Sequence, residues 1–248
     1  MRNILSKAGR KRLAEAAASK DLLLGLDYDG TLAPLSDDPA RALMPQSTAR
    51  LLQAAAALYP CAILSGRSRA DLLRLLGGLK LARVVGSHGL ESGRRNVALE
   101  RQALRWTASL QRRLPEWPGV WIEQKRFSCT IHYRLAPRKN EVLAAIRRVV
   151  ETMSGTRRVY SKDAVDLLPD LDQDKGTAME RICRQLHCSS ALFIGDDASD
   201  EDVFDLQASG LVTGIRVGRY RHSVAAWYLE SRAEVDELLT VLVDARIG

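Results

Sequence analysis

Short runs of apolar residues that end at small or acidic side chains recur in the first third of this chain. They cover residues 22–26, 61–64 and 84–85. A run that is apolar on both faces is typical of a buried parallel strand. Residues 46–58 have a helical composition, and Ser68-Arg69-Ala70-Asp71 has the capping-box-like pattern of a helix start. Strands and helices that alternate in this way predict a parallel sheet with helices on both faces.

The pattern changes between residues 99 and 170, where the predicted strands alternate between apolar and polar positions. Such alternation is typical of antiparallel strands with one exposed face. The predicted elements are strands at 120–125 and 128–134, a helix at 139–152, and strands at 157–161 and 164–168. We expect this segment to form a separate α+β domain.

Alternation of helices and strands resumes after residue 170. The predicted elements are a helix from residue 175, a strand at 191–194, a helix from 199, a strand at 211–217 and a helix from 231. The predicted fold class is therefore α/β. A Rossmann-like parallel-sheet core is formed by residues 1–98 and 171–248, and an α+β domain is inserted at residues 99–170. Connections near residues 93–100 and 169–174 would join the two domains as a hinge.

The composition is that of an ordinary globular protein, with 46% hydrophobic and 27% charged residues among 248. A net charge of +7 raises the question of nucleic-acid binding. The arginines, however, are scattered and are not interleaved with aromatic residues. We therefore expect no nucleic-acid partner, and we expect the charge to attract a small anion.

The cysteines and the apolar stretches favour a cytoplasmic protein. The four cysteines form no CxxC pair, so reduced thiols are expected. Residues 1–20 are basic and lack the apolar stretch of a secretory signal, which predicts a solvated helix or a loose leader. The longest apolar run, residues 51–64, is interrupted and too short to span a membrane. We expect a monomer without a membrane partner.

Four polar clusters follow predicted strands or open a predicted helix. They are Asp27-Tyr28-Asp29-Gly30-Thr31, Ser65-Gly66-Arg67, Lys175-Gly176, and the segment Gly195-Asp196-Asp197-Ala198-Ser199-Asp200. Ligands of parallel sheets bind at the carboxyl ends of the strands, so these clusters should meet at one edge. Asp and Gly also form ordinary turns, but at least four carboxylates at one edge repel one another unless a cation neutralises them. Oxygen ligands suit Mg²⁺, and the sequence predicts a magnesium site.

The acidic residues suggest transfer of a phosphoryl group to a carboxylate. Asp27 is ionised at neutral pH when unperturbed and can attack phosphorus directly. Asp29 is placed to act as general acid and then as general base. Mg²⁺ would be held by the side chains of Asp27 and Asp196 and by the main-chain carbonyl of Asp29. Asp197 and Asp200 would position the water molecules of the metal.

Ser65, Gly66 and Lys175 are the predicted phosphate-binding residues. The Ser65 hydroxyl can donate a hydrogen bond to a phosphoryl oxygen, and Lys175 supplies a compact positive charge. Phosphate esters hydrolyse very slowly in water, so stabilisation of charge on the transferred group must provide most of the acceleration.

These four clusters resemble the four motifs of the haloacid dehalogenase-like phosphatases, in the same order: DYDGTL, SGR, the lysine of DKG, and GDDASD. The inserted segment resembles the cap domain that closes over the substrate in many members of that superfamily. The resemblance implies a magnesium-dependent phosphoric monoester hydrolase with an aspartyl-phosphate intermediate.

A narrower resemblance is to the trehalose-6-phosphate phosphatases. GSHGLE (residues 86–91), the EQK and HYR segments (123–125 and 132–134) and GDDASDEDVF (195–204) are similar to segments of that family. The resemblance implies hydrolysis of trehalose 6-phosphate, a phosphorylated sugar, in trehalose biosynthesis. It implies these substrate-binding residues: Glu91, Glu123 and Lys125 on sugar hydroxyls, and Arg67 and His88 near the opening of the site.

One departure from that family keeps the identity of the sugar open. Asp166-Leu167-Leu168-Pro169 stands where many relatives carry a glutamate and a cation. Asp166 could still reach a hydroxyl, whereas Leu168 cannot replace the cation. The alternatives are another phosphorylated sugar or glycoside, such as glucosylglycerol phosphate or sucrose phosphate, and a non-catalytic sugar-phosphate sensor.

The histidines and tryptophans have a simpler alternative interpretation. His88 and His132 could be ordinary polar residues with internal partners. The four tryptophans are expected to be packing residues and not sugar platforms, although Trp121 lies in the same predicted strand as Glu123.

Overall fold

The computed structural model describes residues 1–36, 41–91, 96–161 and 163–248. It divides into two compact units. The core unit comprises Met1–Ser92 and Gln173–Gly248, and the inserted unit comprises Gly93–Asp172. The predicted boundaries at 98/99 and 170/171 differ from these by a few residues. Part of the predicted connection at 93–100 lies outside the described residues.

The described elements follow one another in three groups. The first group is β1 (Arg2–Asn3), α1 (Lys7–Ala17), β2 (Leu22–Leu26), α2 (Gln46–Leu58), β3 (Cys61–Leu64), α3 (Arg69–Leu75) and β4 (Arg83–Val85). The inserted unit holds α4 (Val97–Arg113), β5 (Trp121–Gln124), β6 (Cys129–His132), α5 (Lys139–Val150), β7 (Thr156–Ser161) and β8 (Ala164–Pro169). The last group is α6 (Lys175–Leu186), β9 (Ser190–Gly195), α7 (Glu201–Phe204), β10 (Val212–Val217), β11 (Trp227–Leu229) and α8 (Ala233–Ile247).

The core unit is built on a sheet whose described strands are parallel, in the order β1-β11-β10-β9-β2-β3-β4. From the centre, the chain proceeds outward through β3 and β4 on one side and through β10 and β11 on the other. The connections therefore reverse direction between β2 and β9. Ligands of open parallel sheets bind at such a point, outside the carboxyl ends of the strands.

Both faces of this sheet are covered, which explains the continuously apolar β2. Leu22, Leu24 and Leu26 pack with residues of α1, α2 and α8 on one face. Leu23 lies in a second cluster on the other face, with residues of α6 and α7. A strand buried on both faces has no polar positions to alternate with.

The inserted unit is a four-stranded antiparallel sheet of order β5-β6-β8-β7. Ile131 and Val165 pack with Trp106 and Leu110 of α4 and with Ile146 of α5. Because side chains alternate between faces along a strand, the residues between these apolar positions point away from the helices. The polar side chains on that opposite face include Glu123, Thr130, His132 and Asp166.

Several elements differ from the sequence-based predictions. The N-terminal segment is not a loose leader: β1 pairs with β11, and Leu13 of α1 is fully buried in the core. α4 was not predicted. The predicted helix from Ser199 is broken into short turns, of which α7 is the α-helical part.

Two further features concern the cysteines and membranes. All four cysteines lie in described segments and are buried free thiols. Among the described helices, none has both the length and the apolar character that crossing a bilayer requires.

Candidate active site

Lys175 lies between two carboxylates at the carboxyl edge of the core sheet. Its Nζ donates hydrogen bonds to Asp27 Oδ1 at 2.9 Å and to Asp200 Oδ1 at 2.7 Å. Asp27 continues β2 by donating its N–H to Ile194 of β9 at 2.9 Å. Lys175 is the first residue of α6, where Asp174 caps the helix through the N–H of Thr177 at 2.7 Å. The strand end and the helix start together fix this ion pair.

Burial determines the electrostatics of the pair. Burial raises the pKa of Asp27 well above its ordinary value of 3.8, and the charge of Lys175 opposes that shift. Burial would lower the pKa of Lys175, but the charges of Asp200 and Asp27 hold it above its ordinary value. The ammonium group therefore stays charged and is a permanent countercharge for the two carboxylates.

Asp196 joins Asp27 and Asp200 in a group of carboxylates suited to a cation. One oxygen from each of the three lies within 4.8 Å of the others. Burial raises the pKa of Asp196 to about 8, and the charges of Asp200 and Asp197 add to the effect. The Asp197 N–H donates to Asp200 Oδ2 at 2.9 Å, and burial also raises the pKa of the Asp197 carboxyl.

Gly30 allows the loop after β2 to approach Asp196. Its φ is +79°, and a Cβ at this position would come within 2.1 Å of an Asp196 carboxylate oxygen. A side chain here would therefore be both strained and in collision. Thr31 Oγ1 lies 3.5 Å from Asp196 Oδ1, at the limit of a hydrogen bond.

Asp29, the predicted general acid, forms a bidentate ion pair with Arg67. Arg67 Nε lies 2.6 Å from Asp29 Oδ2, and Nη2 lies 2.7 Å from Asp29 Oδ1. Arg67 Nη1 also donates to Asp71 at 2.6 Å. Burial opposes the charge of Arg67, but its bonds to Asp29 and Asp71 raise its pKa above the ordinary value. The family resemblance implies a position of Arg67 near the opening of the site, which stays a prediction; within the core unit Arg67 orients Asp29.

Ser65 and Gly66 form a tight turn after β3. The Ser65 N–H donates to Val85 at 3.1 Å, and its hydroxyl accepts from the N–H of Arg67 at 3.3 Å. The His88 N–H donates to the Ser65 carbonyl at 3.0 Å, and the His88 ring lies so close to Gly66 that a Cβ there would be 2.7 Å from it. Gly66 thus makes room for His88.

Glu91 is 4% exposed and binds groups of its own chain. Its Oε1 accepts from the Ser87 hydroxyl at 2.6 Å, and its Oε2 accepts from the Arg69 N–H at 2.8 Å. These bonds connect the turn after β4 to the start of α3. Contact between Glu91 and a sugar hydroxyl stays a prediction.

The predicted residues of the inserted unit also lie together, on the polar face of its sheet. Lys125 Nζ lies 3.2 Å from Asp166 Oδ1 and 3.9 Å from Glu123 Oε2. Thr130 Oγ1 donates to Asp166. A ring nitrogen of His132 hydrogen-bonds Glu123 Oε2 at 2.8 Å. The structure therefore supports the alternative that His132 has an internal partner.

Trp121 packs against a side chain of its own sheet and not in the core. Trp106 and Trp227 are buried as expected, but Trp121 is 36% exposed. Its ring stacks on His132 with a centroid distance of 4.6 Å and an interplanar angle of 14°. Local sequence pattern does not reveal this contact, because Trp121 and His132 are paired across β5 and β6 and lie eleven positions apart in the chain.

Comparison with known proteins places these features in a family. Residues 25–236 match the family model described as trehalose-phosphatase. A trehalose-phosphate phosphatase of Mycobacterium tuberculosis is 34% identical over 215 residues, which are 78% of this chain and 53% of the relative. That of Mycobacterium ulcerans is 36% identical over 236 residues, 85% of this chain and 58% of the relative. The chain thus spans about half the length of these curated relatives.

Solved structures confirm the predicted α/β fold. The C-terminal domain of Candida albicans trehalose-6-phosphate phosphatase superposes with a TM-score of 0.78 at 22% identity, covering 98% of each chain. Sucrose-phosphatase from Synechocystis gives a TM-score of 0.60 at 17% identity, covering 90% of this chain and 98% of the other. The likeness to these two structures concerns the fold. The family match and the curated relatives show more: this chain belongs to the trehalose-phosphatase family.

Proposed function

We propose that this chain hydrolyses trehalose 6-phosphate to trehalose and inorganic phosphate through an aspartyl-phosphate on Asp27. The observation that carries the proposal is the Lys175 ion pair with Asp27 and Asp200, with Asp196 beside it, at the point where the sheet connections reverse. Family membership supports the choice of substrate.

The carboxylate group fits Mg²⁺. Asp27, Asp196 and Asp200 offer only oxygen ligands, which Mg²⁺ prefers. Burial first, and then the neighbouring carboxylates, raise the pKa of Asp27 and of Asp196, and a divalent cation would counter both effects. Asp27 and Asp196 would hold the ion with Asp200 or the Asp29 carbonyl. When bound, Mg²⁺ contributes positive charge that stabilises the phosphoryl oxygens.

Asp27 is the proposed nucleophile. Its carboxylate oxygen attacks phosphorus, the bond from phosphorus to the sugar oxygen breaks, and Asp29 gives a proton to the departing oxygen. In the second step Asp29 takes a proton from water, the water oxygen bonds to phosphorus, and the acyl-phosphate bond breaks. Arg67 binds both oxygens of Asp29 and so fixes the direction of the carboxylate, and each oxygen keeps a second lone pair that can take a proton.

Ser65, Gly66 and Lys175 are the proposed phosphate site. The bond from the Arg67 N–H uses Ser65 Oγ as an acceptor, so the hydroxyl proton can be directed at a phosphoryl oxygen. The charge of Lys175 opposes the effect of burial on the pKa of Asp27 and would be available to the same phosphoryl group. Asp197, through its N–H bond to Asp200, would hold the loop that carries Asp196.

Recognition of the sugar is assigned chiefly to the inserted unit, as a cap. Glu123, Lys125 and Asp166 form a connected polar group there, with hydroxyl-binding atoms on one sheet face. In the core unit, Arg67, His88 and Glu91 are the proposed contributors. The internal bonds of Arg67 favour a role in orienting Asp29. Those of Glu91 favour a role in holding the start of α3.

A phosphate-release assay over a panel of sugar phosphates tests the substrate. The panel contains trehalose 6-phosphate, sucrose 6-phosphate, glucosylglycerol phosphate and glucose 6-phosphate, each with Mg²⁺ and with a chelator, and Asp27→Asn as the inactive control. We expect the highest kcat/KM on trehalose 6-phosphate, by about tenfold or more, and no release in chelator.

The other outcomes identify which part of the proposal fails. A higher kcat/KM on another sugar phosphate would show that trehalose 6-phosphate is the wrong substrate, while the proposed chemistry would stand. That outcome would agree with Leu168, which lies where many relatives carry a cationic residue. Binding of a sugar phosphate without turnover of any would indicate a sensor. Full activity in chelator would overturn the role of Mg²⁺.

A further inference from the structure

Arg216 lies at the end of β10, beside the acidic loop that follows β9. In the parallel register Arg216 is paired with Gly195, the residue before Asp196. Its side chain is 10% exposed. Neither Arg216 nor Glu201 takes part in the proposed catalytic steps, although Glu201 belongs to the same segment as Asp196, residues 195–204.

The guanidinium of Arg216 binds the main chain of this loop at two successive residues. Nη2 donates to the carbonyl of Asp196, and Nη1 donates to the carbonyl of Asp197 at 3.1 Å. Because a guanidinium is planar and rigid, two such bonds fix the direction of both carbonyls. The position of the Asp196 carboxylate is set by the main chain that these bonds hold.

Glu201 holds Arg216 in turn. Arg216 Nη1 donates to Glu201 Oε1 at 2.7 Å. Glu201 Oε2 accepts from the Ser223 hydroxyl at 3.1 Å and from the Val224 N–H at 2.9 Å. The glutamate therefore joins the loop after β9 to the loop after β10 through one buried arginine.

The loop needs such support because its own charges oppose its conformation. Asp196, Asp197 and Asp200 lie within five residues, and one oxygen each of Asp27, Asp196 and Asp200 lies within 4.8 Å of the others. Like charges at close range favour an opened loop in the absence of a cation.

We propose that Arg216 is a positioning residue that holds Asp196 in place for the divalent cation, and that Glu201 positions Arg216. This inference rests on one part of the proposed function, the binding of a divalent cation by the Asp27, Asp196 and Asp200 group. It does not depend on the identity of the sugar.

Two physical effects of removing Arg216 have opposite signs, so the experiment can separate them. If Arg216 acted only through its positive charge, its removal would strengthen binding of a cation nearby. If it acts by holding the Asp196 main chain, its removal weakens that binding, and a lysine, which keeps the charge but lacks the planar fork, does not restore it.

The test is a titration of metal-free protein with Mn²⁺, with free Mn²⁺ measured by electron paramagnetic resonance. We expect Arg216→Met to raise the Kd for Mn²⁺ about tenfold or more. Arg216→Lys should restore only a small part of the lost affinity. Arg219→Met is the matched control, since Arg219 is exposed and pairs with Glu230 at 2.7 Å. The control should bind Mn²⁺ as the wild type does.

Unchanged or tighter Mn²⁺ binding by Arg216→Met, or full rescue by Arg216→Lys, would overturn the inference. If Arg216→Met does not fold, judged by its thermal melt, Glu201→Gln decides: a Kd raised roughly threefold or more supports the inference, and an unchanged Kd overturns it. If Asp196→Asn binds Mn²⁺ as tightly as the wild type does, the cation site is elsewhere. The role of Mg²⁺ in the proposed function would then be wrong as well.

Discussion

The buried ion pair of Lys175 with Asp27 and Asp200 should contribute to stability, and Asp27 should be needed for the proposed chemistry. Removing the charge of Lys175 leaves Asp27 and Asp200 buried without their cation, which typically costs about 3–5 kcal/mol. We therefore expect Lys175→Met to lower the thermal midpoint of metal-free protein strongly. Asp27→Asn should abolish turnover but keep the thermal midpoint within a few degrees, because Lys175 keeps its ion pair with Asp200. Calorimetry and phosphate release measure the two effects. Equal destabilisation by both substitutions would contradict this account.

Glu123 gives the inserted unit a defined dependence on pH. Burial raises its pKa, but the hydrogen bond from His132 and the charge of Lys125 outweigh burial and lower it below the ordinary 4.5. A depressed folded-state pKa contributes stability above about pH 4.5 that is lost as the pH falls through the folded value. Wild-type protein should therefore lose stability between about pH 5 and pH 3 more steeply than Glu123→Gln in urea titrations.

The size of this effect should be small. The Glu123 side chain is 42% exposed, so water and salt screen the interaction, and the difference should stay under about 1 kcal/mol. Identical slopes for the two proteins would show that the Glu123 carboxylate gains nothing from His132 and Lys125.

At the scale of elements, the proposed function assigns sugar recognition to the β5–β6 hairpin and the chemistry to the core unit. Lys125 closes the hairpin by donating its N–H to Ser128 at 2.9 Å, and its ammonium group pairs with Asp166. Lys125→Met should lower kcat/KM for trehalose 6-phosphate about tenfold or more, about 1.4 kcal/mol of transition-state binding. Hydrolysis of an aryl phosphate, which offers no sugar hydroxyls, should barely change.

The matched control for Lys125 is Lys139→Met in the same unit. Lys139 is 43% exposed and pairs with Asp163 at 2.8 Å, away from the polar face. It should leave both substrates unaffected. Equal losses on both substrates with Lys125→Met would instead indicate that the hairpin supports folding.

For the whole molecule, the net charge of the chain is carried by one unit. Residues 93–172 contain sixteen Lys and Arg against nine Asp and Glu, which equals the +7 of the full chain, so the core unit is neutral. Such a field should draw a phosphorylated substrate and weaken with salt. From about 0.01 M to about 1 M KCl, where the Debye length falls from about 30 to about 3 Å, kcat/KM should fall roughly three- to tenfold.

Charge reversal checks the source of this salt dependence. Arg101 and Arg105 are exposed on α4, so Arg101→Glu with Arg105→Glu lowers the net charge without disturbing the core. The salt dependence of kcat/KM should become shallower in this variant, and kcat at saturating substrate should hold. If kcat/KM of the variant depends on salt as steeply as that of the wild type, the substrate is attracted by charges close to the site and not by the net charge of the inserted unit.

Local pattern alone identified most of the fold. The apolar run of β2 and the acidic residues after it predicted a buried strand that ends at Asp27, and the comparisons confirm the α/β class. α4 was missed although its buried residues Ala103, Trp106 and Leu110 are spaced as on one helix face. β1 and β11 were not predicted, because strands of two and three residues are too short to show a periodic pattern.

The sequence by itself determined which chemical groups the edge of the sheet carries, because motif residues follow strand ends and strand ends are visible in local hydrophobicity. Only the tertiary structure decided the partners of those groups. Lys175 meets Asp27 across 148 positions of chain, and Arg67 meets Asp29 across 38. The same is true of Arg216 and the loop of Asp196. Contacts of this kind depend on how strands and helices pack, and no local spacing of residues encodes that packing.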